Sequence, residues 1–171
     1  MIAYRDATPA DGPALDAMAR ASCMETFGDG YSPADLHAYL SLEHGSQGRL
    51  VTDLRDPAIT FRVATDDAAI IGYAKLAPRK LPAPDPRPGS MDLRQLYVLR
   101  PWHGSGVGAA LLDWTIATAR RGGAGELYLS VWEHNPRAIA FYRRHGFEQV
   151  GDYGFPVGEQ IDRDLVMRLT L

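Results

Sequence analysis

Asp92-Leu93-Arg94-Gln95-Leu96-Tyr97-Val98-Leu99, then Arg100-Pro101-Trp102-His103, then Gly104-Ser105-Gly106-Val107-Gly108-Ala109, is the stretch on which the fold turns. Its first eight residues are rich in branched and aromatic side chains and read as a strand. From Val107 to Arg121 the residues Val107, Ala110, Leu111, Trp114 and Thr118 keep helical spacing, and Arg120-Arg121 before Gly122-Gly123 makes a sensible helix end. Between strand and helix, glycines let the backbone approach a ligand, and free amides at a helix N-terminus attract phosphate. A tight connection with no ligand is the plainer alternative. The turn also satisfies G-x-G-x-x-A, a dinucleotide fingerprint, with Glu126 or Glu133 as the acidic ribose partner. Context rules against that reading. Four residues separate strand from glycine, and only 63 residues follow Gly108, too few for the remaining units of a dinucleotide-binding sheet. A P-loop is excluded because no Gly-Lys-Ser/Thr follows.

Outward from this stretch the chain alternates strands and helices. Upstream, Ile2 to Arg5 opens as a strand, and Thr8-Pro9-Ala10-Asp11 starts a helix carrying Leu15, Met18 and Ala19. Ser32-Pro33-Ala34-Asp35 starts a second, with Leu36, Tyr39 and Leu40 on one face. Thr60 to Ala64 and Ile70 to Leu76 flank Asp66-Asp67 as a hairpin. Residues 79–90 carry Pro82, Pro84, Pro86 and Pro88, which allow neither helix nor central strand, so they read as an extended surface loop, with a substrate flap as the lesser reading. Downstream come a strand from Leu127 to Trp132, a helix from Pro136 to His145 stopped by Gly146, and strands at Phe147 to Val150 and Leu165 to Leu171. The order is mixed α/β in one domain over residues 1–171, without repeat or linker.

Composition narrows the function classes. At 171 residues with 46% hydrophobic and 23% charged side chains, the chain has room for one ordinary core. No run approaches the roughly 20 apolar residues of a membrane span. The acidic opening residues do not read as a secretory signal, which favours a cytoplasmic protein. A net charge of −3, with 16 arginines scattered along the chain, argues against a nucleic-acid binder. Cys23 alone supports neither disulfides nor a cysteine zinc site, and His37, His44, His134 and His145 share no ligand spacing, so no metal is expected.

One strand beyond the glycine turn lies Asn135-Pro136-Arg137-Ala138-Ile139-Ala140-Phe141-Tyr142-Arg143-Arg144-His145-Gly146-Phe147. Together with Leu96-Tyr97-Val98, His103 to Gly108 and Leu129-Ser130-Val131, this block resembles the GNAT superfamily of acyl-CoA-dependent N-acetyltransferases. The specific match covers roughly residues 92 to 150. The Leu-Tyr-Val strand and Met24-Glu25-Thr26-Phe27-Gly28 look most like the PaiA-type spermidine/spermine acetyltransferases. His103 departs from the pattern, which prefers Gln or Arg there.

The resemblance implies a sheet of about seven mostly antiparallel strands with a splayed central parallel pair, flanked by about four helices. It implies acetyl-CoA as cosubstrate and direct transfer of the acetyl group to a small amine through a tetrahedral intermediate. A polyamine is the first candidate acceptor, and a homodimer is compatible. Cofactor contacts carry over to His103, Gly104, Ser105, Gly106, Val107, Gly108 and Ala109 at the diphosphate. Leu96, Tyr97, Val98 and Asn135 would meet the pantetheine arm. Val98 N–H is placed to stabilise the oxyanion, and Tyr142 matches the general acid, with Phe141 expected inside and Tyr142 toward the cofactor. Core packing is the alternative for Tyr142. For the base no acid announces itself: Glu133 and Glu25 are candidates, Gln95 stands where an acid would have served, and a water chain competes. Acceptor contacts fall to Glu25, Phe27 and Tyr31. Trp102 and Trp132 are expected to pack, with acceptor-site lining as the lesser reading. A non-catalytic acyl-CoA sensor on the same fold is the alternative function.

Overall fold

The computed structural model describes residues 1–171. Its strands are β1 (Ile2–Asp6), β2 (Thr60–Asp66), β3 (Ala69–Pro78), β4 (Met91–Val98), β5 (Glu126–Trp132), β6 (Glu148–Val157) and β7 (Gln160–Thr170). They form one sheet ordered β1-β2-β3-β4-β5-β7-β6, parallel only between β4 and β5. The helices are α1 (Gly12–Phe27), α2 (Pro33–Glu43), α3 (Arg49–Asp53), α4 (Val107–Arg121) and α5 (Pro136–Arg144). No helix is long and apolar enough to cross a membrane.

Each sheet face buries its own cluster. Leu76, Leu93, Leu111, Leu127, Leu129 and Met167 lie on the α4 side, and Leu15, Met18, Leu50, Phe61, Val63 and Tyr73 on the α1 side. The helix starts form where the side chains dictate: Ser32 Oγ accepts the Asp35 amide, and Asn135 Oδ1 accepts the Ala138 amide. Three expectations are corrected. The β2–β3 turn sits one residue later than expected, on Asp67 and Ala68, both with positive φ, as a two-residue hairpin requires. A fifth helix, α3, is too short to show a period, and its buried Leu50 and Val51 hold it by tertiary contact. The last two strands run far beyond Phe147–Val150 and Leu165–Leu171. β6 holds Gly151, Gly154 and Pro156, residues that weaken a strand pattern yet are tolerated at a sheet edge.

What positions the site is the parting of β4 from β5. They pair only at Met91 with Leu127 and Asp92 with Tyr128. Just beyond, β4 carries a bulge: Lys75 faces Gln95 while Leu76 faces Leu93, leaving Arg94 unmatched. A bulge bends its strand and adds twist, which aims residues 95–98 away from β5. Two carboxylates bolt the closed end. Glu126, nearly buried, accepts the Arg87 amide (2.9 Å) and the Tyr128 hydroxyl (2.8 Å). Asp92 accepts the amides of Lys80 (2.6 Å) and Leu81 (3.1 Å). The proline-rich segment 79–90 is thus pinned at both feet, with Lys80 and Leu81 bordering the cavity described next.

Candidate active site

Backbone pairing decides which amides face the gap. Leu99 N–H donates to Ile71 C=O, so residues 99, 97 and 95 of this pairing exchange hydrogen bonds with β3, and the residues between them turn outward. Leu96 and Val98 therefore aim their amides at β5. Tyr97 is corrected on this point: its amide belongs to the Tyr73 pair, and only its ring reaches the cavity. On the far lip, Glu133 N–H donates to Arg163 C=O, which by the same alternation turns Ser130 and Trp132 into the gap. Two unsatisfied strand edges face each other.

At the open end stands the glycine turn. Gly104 (φ 81°) and Gly106 (φ 91°) occupy the left-handed region, which excludes other residues without strain. The His103 amide donates to Arg100 C=O and the Ser105 amide to Trp102 C=O. The expected seven-residue cradle narrows to five amides without protein partners: Gly104, Gly106, Val107, Gly108 and Ala109, the last three being the first turn of the 15-residue α4. His103 departs further from expectation. Its Nε2 donates to Val98 C=O (2.8 Å), and its Nδ1 then accepts from Arg137, so neither ring nitrogen is free.

A cavity of about 580 Å³ passes through the parted strands. Leu96, Asn135, Ala138 and Tyr142 wall it on the α5 side. Phe27, Tyr31, Leu36, Tyr39 and Glu43 wall it on the α1–α2 side. Burial pushes the Tyr142 phenol well above its ordinary value, and no protein group hydrogen-bonds it. Tyr142 is also the more buried of its pair, and Phe141, half-buried against His145, is the outer one; one side chain serves core and cavity wall together. Asn135 spends its oxygen on the α5 cap and keeps its amide nitrogen for the cavity.

The acids nominated from sequence stand elsewhere. Glu133 pairs with Arg163 (2.8 Å), and Glu25 accepts the Arg100 amide (3.1 Å); neither lines the cavity. Phe27 and Tyr31 do, and Trp132 joins them against Phe27 at 5.7 Å between ring centroids. Besides Glu43, which pairs with Arg49, the carboxylates on this side of the cavity are Asp162 and Asp164 of β7, which sequence reasoning missed. Tyr31 donates to Asp162 Oδ2, and Ser130 donates to Asp164 Oδ2 (3.0 Å). Burial raises Asp164 to about 6 despite the Ser130 hydrogen bond, with Asp162 adding repulsion. A signal existed: Asp162, Asp164 and Val166 alternate on one strand face, two acids in line with a core residue.

Residues 20–147 match the model of the acetyltransferase (GNAT) family. The chain belongs to the GNAT family. As a GNAT protein it is an acetyl-CoA-dependent N-acetyltransferase. It is 36% identical over 122 residues to an uncharacterized N-acetyltransferase of Mycobacterium bovis, covering 71% of this chain and 74% of that one. It is 25% identical over 161 residues to another from Lactobacillus delbrueckii subsp. lactis, covering 94% and 92%. Among solved structures, the PaiA N-acetyltransferase of Thermoplasma acidophilum in complex with coenzyme A shares the GNAT fold with a TM-score of 0.79 at 20% identity, covering 100% and 99% of the chains.

Proposed function

We propose that this GNAT enzyme moves an acetyl group from acetyl-CoA directly to the amine of a small cationic acceptor, with a polyamine as the first candidate. The observation that carries the reading is the β4–β5 gap itself: the five-amide turn follows β4 at its open end, and the cavity between the parted strands is lined by acids and aromatic rings. Acetyl-CoA supplies a thioester, an acyl group activated toward nitrogen.

The chain's residues fit that cosubstrate. The amides of Gly104, Gly106, Val107, Gly108 and Ala109 hold its diphosphate at the positive end of α4. The outward amide of Leu96, with the Asn135 side chain, pairs with the peptide-like pantetheine arm. Val98 N–H stabilises the oxyanion, an effect typically worth about 3 to 4 kcal/mol. Tyr142, held protonated by burial, delivers a proton to the departing sulfur. Cys23 borders the cavity, but burial pushes its thiol up to about 11, so it stays an uncharged thiol, which favours direct transfer over an acyl-cysteine route.

The acceptor class follows from the wall. Asp162 and Asp164 have no cationic partner; of the lining cations Arg49 pairs with Glu43 and Lys75 with Asp53, while Lys80 and Arg94 stand by Asp92 and Pro78 toward the closed end of the gap. Gln95 Oε1 and Asp92 Oδ1 are buried without a donor. These groups ask for hydrogen-bond donors and positive charge, and Phe27, Tyr31, Tyr39, Trp132, Tyr153 and Phe155 offer faces to alkylammonium. The fold likeness to a PaiA N-acetyltransferase agrees with it. Thiol release from acetyl-CoA across spermidine, spermine, free amino acids and an N-terminal peptide tests the assignment. The reading expects kcat/KM highest for the polyamines; a preference for the peptide would overturn it.

A further inference from the structure

We infer that Asp164 is the catalytic residue that takes the proton from the acceptor amine, with Ser130 as its positioning residue. The inference rests on the acetyl-transfer reading above and adds the base it lacks.

Asp164 is 7% exposed, stands in the cavity wall and has no cation within ion-pair distance. A carboxylate that deep in a protein is normally paired. Its Oδ2 takes the Ser130 hydroxyl, and no protein group donates to Oδ1. The position is right as well as the chemistry. Asp164 sits opposite Trp132 at the end of β5, on the face where Trp132 meets Phe27 of α1, and so on the acceptor side of the gap. The groups around it are Ser130 from β5, Tyr153 from β6, Asp162 on its own strand, Tyr97 from β4 and Tyr31 ahead of α2. None is a cation. Arg163, the nearest one in sequence, points the other way to Glu133 and Asp152.

The proton balance closes. The acceptor arrives as an ammonium with three N–H protons and leaves as an amide with one. Before attack one ammonium proton goes to Asp164 and on to solvent, which frees the nitrogen lone pair; the N–C bond then forms and the C–S bond breaks. The other replaces the proton that Tyr142 passes to sulfur. Raised to about 6, Asp164 is ionised at neutral pH yet more basic than an ordinary aspartate.

Asp164→Asn in the full chain should lower kcat/KM for spermidine by about 10²- to 10⁴-fold and remove the acid limb of the pH profile, with acetyl-CoA affinity unchanged. Activity within threefold of wild type, with the limb intact, overturns the assignment. Ser130→Ala provides a second handle: losing a hydrogen bond to the ionised form raises the Asp164 pKa, so the acid limb should move to higher pH. An unmoved limb counts against the pair. Lack of turnover with every amine would sink the acceptor class above and leave Asp164 to be judged by carbon-detected NMR titration of its carboxyl in the whole protein. A midpoint near 6 that falls when spermidine is added supports the role; an ordinary midpoint unmoved by spermidine refutes it.

Discussion

Tyr142 and Gly106 are the residues whose roles separate most cleanly. Tyr142 packs in the α4-side core and borders the cavity, so removing its ring would confuse packing with chemistry. Tyr142→Phe keeps the ring and deletes one oxygen. It should cut kcat by about 10²- to 10³-fold while leaving acetyl-CoA affinity unaltered, as read by steady-state kinetics beside calorimetric titration. A non-catalytic acyl-CoA sensor would show no turnover to lose. Gly106 presents the opposite case. A Cβ there would meet nothing within 4 Å, so its constraint is φ alone. Gly106→Val should therefore cost about 1 to 3 kcal/mol of strain or flip the turn, weakening acetyl-CoA binding with the acceptor KM little changed. Residues of this kind are legible in sequence, because a positive φ and a helix start are local matters.

Among elements, the closed base of the wedge is held by polar latches. Glu126 lies in a place where burial would push its pKa up, yet the Arg87 amide and the Tyr128 and Ser90 hydroxyls hold it lowered. Glu126→Ala strands those buried donors and should cost about 1 to 3 kcal/mol in urea unfolding, with faster proteolysis in residues 79–90. The glycine turn and α4 could be read from sequence since each is written in one short consecutive stretch. The acceptor wall could not. Tyr31 meets Asp162 across 131 positions, and the Asp35 carboxylate ties the β6–β7 turn to α2 through the Glu159 amide. Such contacts depend on how far the last hairpin runs, and its glycines and edge proline conceal that length. Glu25 and Glu133 were plausible for the same reason: their distance from the cavity is a tertiary fact.

For the whole molecule, the site carries a stability penalty with a definite pH sign. Asp164 titrates near 6 folded and near 3.9 unfolded, so between these values the folded state binds more protons. Stability gained by protonating it therefore grows as pH falls from about 7 toward 4, amounting to about 2 to 3 kcal/mol. Asp11 opposes this lower down, because the Arg5 guanidinium holds it well below the usual carboxylate range, and that contribution fades only as pH falls below about 4. Asp164→Asn should then raise the thermal midpoint at pH 7.5 and flatten its rise toward pH 5, in a calorimetric scan at both values. The seven-stranded frame, including its parallel pair, was foreseeable from order and resemblance; the cost of opening it was not.

In the proposed mechanism β4 and β5 stay parted so that an acyl-CoA lies between them with its diphosphate on the α4 turn. A crystal structure of the complex with acetyl-CoA measures this outright. Diphosphate oxygens within about 3 Å of the amides of Gly104 and Gly106 to Ala109, with the thioester oxygen toward Val98 N–H, would agree with the account. Acetyl-CoA bound elsewhere, with β4 and β5 paired along their length, would contradict it.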